Sequence, residues 1–394
     1  MGRSLTLIAN PGSASRKYAL FDGERPRVEL HFEFIHEKLV CTLVRQGESH
    51  MLAVDFQDIN ATTSHVIGLL QASGDLRPNE SIERIGLRIV APSAYFLEDR
   101  IVDDELVARL RALQPRAPIH ITATLAELEV LRNQFSRAEI IGISDSAFHI
   151  TKPDYAWNYG ISLDVADHFE IKRFGYHGLS VASVVRELQY AEKLPPRLLV
   201  CHLGSGASVS AVLYGKSVDT TMGYSPLEGV VMSTRSGSID PTAVRTLKNV
   251  CHFDDTAVEE YLNNHSGLLG LGGSADIREL LRREEDGDNR ARLALATYVY
   301  SVQKAIGQMV AGLGGMDALA FTGTVGERSS VMRERITARF HYLDLILDDQ
   351  ENRNYEPAKP ITAINRLTCS KDVYIIPARE SAEMVKHLVA VKLS

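Results

Sequence analysis

The pattern that opens this chain begins again near its midpoint. Leu5–Asn10 reads as an apolar strand, Gly12-Ser13-Ala14-Ser15 as a turn of small residues, Lys17–Phe21 as a second apolar strand, and Asp22-Gly23 closes it. The same order returns in Leu198–Leu203, Gly204-Ser205-Gly206-Ala207-Ser208, Val209–Leu213 and Tyr214-Gly215. A restart of this kind predicts a duplicated unit and therefore two domains. The length of 394 residues agrees, because single cores stop growing beyond roughly 250–300 residues. Between and after the two openings, strand-like runs (Arg27–Phe32, Leu39–Val44, Ile82–Val90, Ala138–Ile143, Ala318–Thr322, Val373–Ile376) are interspersed with helical spacing. The helical runs are Asn60–Gln71, Asp104–Leu113, Ile121–Asn133 with Thr122 or Thr124 as cap, Gly178–Leu188, Ala291–Leu313, Ser329–Phe340 and Ser381–Val391. This alternation predicts an α/β class with hairpins in each sheet. No linker rich in Pro, Ser or Gly separates the halves, so they are expected to abut around a cleft.

Composition excludes several function classes. A net charge of -7 leaves no basic excess for a nucleic-acid partner, though a local basic pocket for a small anion remains open. No run of about eighteen apolar residues predicts a membrane span, and the first residues lack a signal-peptide pattern. Cys41, Cys201, Cys251 and Cys369 are scattered, without a C-x-x-C. They read as reduced core thiols of a cytoplasmic protein.

The stretch His202–Pro241 is the densest in potential chemistry. It holds H-L-G-S-G-A-S, then M-G-Y-S-P-L-E-G, then T-R-S-G-S-I-D-P. Glycine turns let backbone N–H groups approach an anion, and Arg235 offers a planar charged fork. Phosphate is the expected ligand. Asn10, Gly12, Ser13 and Ser15 sit on the first hairpin tip, which alone reads as a plain turn; the similar second tip at Gly204–Ser208 shifts the expectation to a two-sided phosphate clamp. Asp145 ends a buried strand and is either a crevice carboxylate or a turn aspartate. His177, within G-Y-H-G, is a site imidazole or a turn histidine. Arg88 leaves an apolar strand and needs an anionic partner, from a substrate or from an internal carboxylate. Glu380 is a metal ligand or a first-turn helix glutamate. No H-x-x-x-H spacing suggests zinc.

With those residues assembled, the chain resembles the acetate kinase (acetokinase) family from Leu5 to beyond Glu380. The family's N-x-G-S-S-S-x-K-F stands here as N-P-G-S-A-S-R-K-Y (Asn10–Tyr18), and F-D-T-A-F-H as S-D-S-A-F-H (Ser144–His149). Y-G-F-H-G-T-S is F-G-Y-H-G-L-S (Phe174–Ser180). H-L-G-N-G-A-S and S-M-G-F-T-P-L-E-G-L-x-M-G-T-R-x-G-D-x-D-P match His202–Ser208 and Thr221–Pro241. The resemblance implies membership of the acetate and sugar kinase, heat-shock protein and actin superfamily. It implies two duplicated actin-like (ribonuclease H-like) α/β domains around an interdomain cleft. These would be 1–147, with 381–394 packing back on it, and 148–380 carrying most of the nucleotide site. It further implies a homodimer without nucleic-acid or membrane partners.

The activity so implied is reversible phosphoryl transfer from ATP to acetate, giving acetyl phosphate and ADP. Mg²⁺ is the expected cofactor, with Mn²⁺ as a substitute. Carried over by position, the catalytic residues are Arg88, Asp145, His177 and Arg235, with Asp145 orienting the metal or its water. The carboxylate would lie against Arg88, Val90, Ile119, Tyr176 and Pro226. The nucleotide and its phosphates would meet Ser13, Ser15, Lys17, His202, Gly204, Ser205, Gly206, Asp276, Arg278, and Thr324, Val325, Gly326 and Arg328 of the loop Gly323–Arg328. The metal would meet Asn10 and Glu380. The alternatives are a propionate kinase, a relative with another phosphoryl donor, and a non-catalytic nucleotide-binding relative. The departures bear on these choices. H-R-V-V-H-G-G is L-R-I-V-A-P-S here, Ser205 replaces an asparagine, Thr324 a glycine, Arg328 an asparagine and Ser238 an acidic residue. Tyr176 adds a hydroxyl where the family has phenylalanine.

Overall fold

A computed structural model describes residues 3–12, 15–35, 38–357, 359–366 and 370–390; Ser13 and Cys369 lie outside the described residues. The chain forms two compact units, 1–147 with 379–394, and 148–378. The return to the first unit therefore falls at Arg379 rather than after Glu380.

In the first unit, β1 (Arg3–Pro11), β2 (Ser15–Asp22), β3 (Arg25–Ile35), β4 (Lys38–Arg45) and β5 (Glu48–Leu52) form an antiparallel meander. Beyond β1 the sheet continues with β6 (Glu80–Ile89), β7 (Arg100–Ile101) and β8 (Glu139–Ser144), in the order β5-β4-β3-β2-β1-β6-β8-β7. β1, β6 and β8 run parallel. Central parallel strands are covered on both faces and read as continuous apolar runs. Leu5, Leu7, Ile8 and Ala9 of β1 are accordingly all buried, as are Ile85 and Leu87 of β6.

In the second unit, β9 (Arg197–Leu203), β10 (Ala207–Leu213) and β11 (Lys216–Thr220) are antiparallel neighbours. β12 (Ala318–Thr322) pairs in parallel with β9 and with β14 (Asp372–Ile375), and β13 (Thr362–Ala363) closes the edge. The sheet order is β11-β10-β9-β12-β14-β13. The duplication is thus present in the hydrogen bonding itself. β3-β2-β1-β6-β8 and β11-β10-β9-β12-β14 share one order, one set of directions, and a first hairpin at the same place. Both hairpin tips are tighter than the sequence suggested. Gly12 N donates to Ser15 O at 2.8 Å and Gly204 N to Gly206 O at 2.9 Å. Ala207 and Ser208 belong to β10 rather than to the turn.

Three local expectations are corrected. The helix read from Ile121 begins at Pro118, because proline suits the first helical position. Thr122 and Thr124 are then interior residues and not caps. Gly323–Arg328, expected as a loop, is a short helix directly after β12. Cys41 and Cys201 are buried, but Cys251 is exposed at the end of the helix Pro241–Cys251.

Candidate active site

In the first unit, parallel pairing brings three sequence-distant residues to one edge. Asn10 lies near the carboxyl end of β1, Arg88 near that of β6, and Asp145 just beyond β8. Carboxyl ends of parallel strands are where such folds build sites. Arg88 Nη2 donates to Asp145 Oδ2 at 2.7 Å and Nη1 to Asn10 Oδ1 at 3.1 Å. Asn10 Nδ2 in turn donates to Glu380 Oε2 at 2.8 Å. Glu380 opens the helix Glu380–Ala390, which packs on β1, β6 and β8. Gly86 permits that seat: a Cβ there would fall 3.1 Å from Leu388 Cδ1 and 2.8 Å from Ile8 Cδ1.

Arg88 thus has the internal carboxylate partner that one reading of the sequence called for, and it also donates to the Asn10 amide. Burial opposes the charged guanidinium, but Asp145 and Glu380 outweigh it and hold Arg88 above the usual arginine range. Lys17 stands opposite Asn10 in the hairpin register. Glu29, on β3, was not singled out from sequence. Burial raises its pKa and nearby Glu380 adds to the rise, against the pull of Lys17 and Ser381. Ser15, Val90 and Ile119 are half-buried and Lys17 is exposed.

In the second unit, the site gathers around Gly206. A Cβ at this position would lie 3.0 Å from His177 Nε2 and 3.5 Å from Arg235 Nη1. Glycine is therefore what lets an imidazole and a guanidinium close on the hairpin tip. His177 caps the helix Gly178–Tyr190 with a left-handed backbone (φ 60°). A non-glycine residue held there is strained, and Gly175 beside it also has positive φ. Its Nδ1 meets Ser208 Oγ at 3.0 Å, and its ring lies 4.1 Å from that of His202. His202 Nδ1 meets Ser180 Oγ at 2.7 Å. Gly204 completes the tip, where a Cβ would be 3.6 Å from His202 Nε2 and 3.9 Å from Thr324 N. The helix Gly323–Arg328 thus reaches the same tip. Ser205 and Thr324 are exposed, Val325 is half-buried and Gly326 is buried.

The Arg235 loop is shaped by residues that sequence reasoning missed. Leu268 N donates to Met232 O, Leu269 N to Ser233 O and Ser266 N to Thr234 O, each at 2.9 Å. Gly267 (φ +60°) faces them, and a Cβ there would sit 2.7 Å from Arg235 O. The only sequence signal was a lone glycine in N-H-S-G-L. Arg235 Nη1 donates to Pro226 O at 3.4 Å. Tyr176 is buried and its hydroxyl donates to Tyr224 O at 2.7 Å. His149, in the S-D-S-A-F-H block, is interior, with Nδ1 on Ser217 Oγ and Nε2 on Tyr176 O. Burial, aided by Lys152, pushes its pKa down to about 3 and keeps it neutral. Asp276 caps the helix Ile277–Glu285, and Arg278 Nη2 donates to its carboxylate at 2.6 Å.

The fold, duplicated actin-like α/β, and the imidazole, guanidinium and glycine turn gathered at a hairpin tip define a class of phosphotransferases. The acetokinase family profile matches residues 5–386. The acetate kinase of Caldicellulosiruptor saccharolyticus is 33% identical over 95% of this chain and 96% of its own length. Among solved structures, the propionate kinase from Francisella tularensis superposes with a TM-score of 0.85 at 28% identity, covering 98% of each chain. Porphyromonas gingivalis acetate kinase gives 0.82 at 26% identity, over 98% of this chain and 99% of that one. The chain belongs to the acetokinase family and is a kinase that phosphorylates a carboxylate. Among the described residues, no helix is long and apolar enough to cross a membrane.

Proposed function

We propose that the chain transfers the terminal phosphoryl group of ATP reversibly to acetate, giving acetyl phosphate and ADP. The observation that carries this reading is the approach of His177 and Arg235 to the Gly206 tip. A short carboxylic acid, with a reference pKa of about 4, is already ionised at neutral pH. No base is needed; what opposes reaction is the repulsion of one anion by another. Arg235 and His177 neutralise charge on the transferring group, and Arg88, aimed by Asp145, holds the carboxylate. Tyr176 and Pro226, both in the second unit, receive its alkyl end. The tips at Ser15–Lys17 and Gly204–Gly206 hold phosphate, with His202 behind the second tip. Asp276, Arg278 and the helix Gly323–Arg328 take the adenosine side.

Mg²⁺ suits the chemistry of Asn10 and Glu380, an amide oxygen and a carboxylate held side by side by the bond from Asn10 Nδ2 to Glu380 Oε2 at 2.8 Å, with Asn10 Oδ1 accepting from Arg88. This ion commonly binds through one or two such groups plus substrate phosphates. Bound there, it would shield the phosphate oxygens. We also place the enzyme in the cytoplasm as a homodimer. Exposed Ile150, Tyr155, Ile161, Leu163, Val165 and Phe169, crowded into twenty residues of sequence, support a subunit contact. Trapping acyl phosphate with hydroxylamine across acetate, propionate and butyrate, each with ATP, GTP or pyrophosphate, tests the reading. The expected result is acetate with ATP as the best pair, abolished by a chelator and restored by Mg²⁺. Preference for propionate, or for a donor other than ATP, selects an alternative; no acyl phosphate at all rejects the function.

A further inference from the structure

The loop Met222–Gly229 carries Pro226, one wall of the proposed alkyl pocket, and touches Arg235 through the Pro226 carbonyl. Its backbone is gripped at three consecutive polar groups. Gly175 N donates to Gly223 O at 3.1 Å. Tyr224 N donates to Tyr159 Oη at 2.9 Å. Tyr224 O accepts from Tyr176 Oη at 2.7 Å. One peptide unit on each side of Tyr224 is thus held by a phenol, two residues before Pro226.

The grip is itself anchored. Tyr159 Oη donates to Glu228 Oε2, and Arg173 Nη1 donates to Glu228 Oε1. The Arg173 guanidinium also stands over the Tyr159 ring at 5.4 Å. Glu228 closes the same loop, so Tyr159 and Arg173 hold one end and the phenols hold the middle. Gly223 makes room for this, since a Cβ there would sit 2.5 Å from Tyr159 Oη. The Tyr176 hydroxyl, which the sequence placed beside the substrate's alkyl group, is instead turned to the backbone. A phenylalanine in its place would leave Tyr224 O without that donor.

We propose that Tyr159 and Tyr176 form a two-phenol clamp on the Tyr224 peptide that fixes the position of Pro226 against the alkyl group and so sets which carboxylate chain length is accepted. Tyr159 is a positioning residue and touches no substrate. The inference rests on the carboxylate kinase reading above and names the feature that decides selectivity within it. A fixed pocket wall discriminates by contact, whereas a loosened wall yields to an extra methylene.

Tyr159→Phe and Tyr176→Phe each delete one oxygen and keep the ring, so either serves if the other folds poorly. Kinetics on acetate, propionate and butyrate, with amide hydrogen exchange across 220–230, test the clamp. Each variant is expected to raise the propionate-to-acetate ratio of kcat/KM by about fivefold, the worth of one neutral hydrogen bond. The change should fall on the KM for carboxylate, with the KM for ATP held within about twofold, and Tyr224 should exchange faster in Tyr159→Phe. Faster exchange with an unaltered ratio in both variants overturns the clamp as a selectivity device while leaving the kinase reading intact. An active wild type is therefore the control. Wild-type protein that forms no acyl phosphate overturns the reading on which the clamp rests.

Discussion

Arg88 and Arg235 carry the same charge in different settings, and their loss should be felt differently. Arg88 is paired with Asp145, which is fully buried. Removing one partner of such a pair leaves an uncompensated buried charge, at a cost of about 3–5 kcal/mol. Arg88→Ala is therefore expected to lower both turnover and the urea midpoint. Arg235 instead reaches a carbonyl at 3.4 Å on a polar loop. Arg235→Ala and His177→Ala are expected to cut turnover by about a hundred- to a thousand-fold with the circular dichroism melt nearly unchanged; near-normal turnover by either would refute its role. Gly206→Ala tests the close approach directly. The added methyl meets His177 Nε2 at 3.0 Å, so the imidazole must give way slightly and kcat is expected to fall, by less than in His177→Ala. The residues were legible from sequence because glycine, arginine and histidine in a polar stretch have few structural uses. Gly267 and Tyr159 were not, because their roles are contacts with chain far away in sequence.

At the scale of elements, the helix Glu380–Ala390 shows how a site residue is carried by packing. Its Met384, Val385 and Leu388 are buried, and His387 Nδ1 meets Asp99 Oδ2 at 2.7 Å. Asp99 Oδ1 also accepts Ser144 N at 2.8 Å, one residue before Asp145. Burial disfavours the imidazolium, but Asp99 and Glu383 outweigh it and raise the His387 pKa from 6.5 to about 9. A raised folded-state pKa stabilises fully below the unfolded value and is lost as pH climbs through the folded one. Unfolding free energy should thus fall between pH 6.5 and about 9, by up to about 3 kcal/mol. In His387→Gln the profile should be flatter across that window; a slope equal to wild type would contradict the pairing. Strands and long helices were readable here from periodicity. The short helix Gly323–Arg328 was not, since six residues hold too few turns to show a period and proximity to β12 decides their course.

For the whole molecule, the chain's last helix belongs to its first unit. Ending the chain at Ala378 should expose Gly86 and Ile8 and strip protection from peptides of 1–147, with those of 148–378 spared, as read by hydrogen exchange. Uniform loss in both would contradict the division. The duplicated α/β plan is written in the residue pattern, because alternating apolar runs and small-residue tips are local features that any copy of the unit must repeat. The sequence also offered the chemical character of the candidate site, because permanent charge and glycine's missing side chain are properties of single residues. Folding is what joins Asp145, Arg88, Asn10 and Glu380 in one hydrogen-bonded line and turns the Tyr176 hydroxyl to Tyr224. Those are distances between residues far apart in the chain, set by strand register and packing, and no local pattern encodes them.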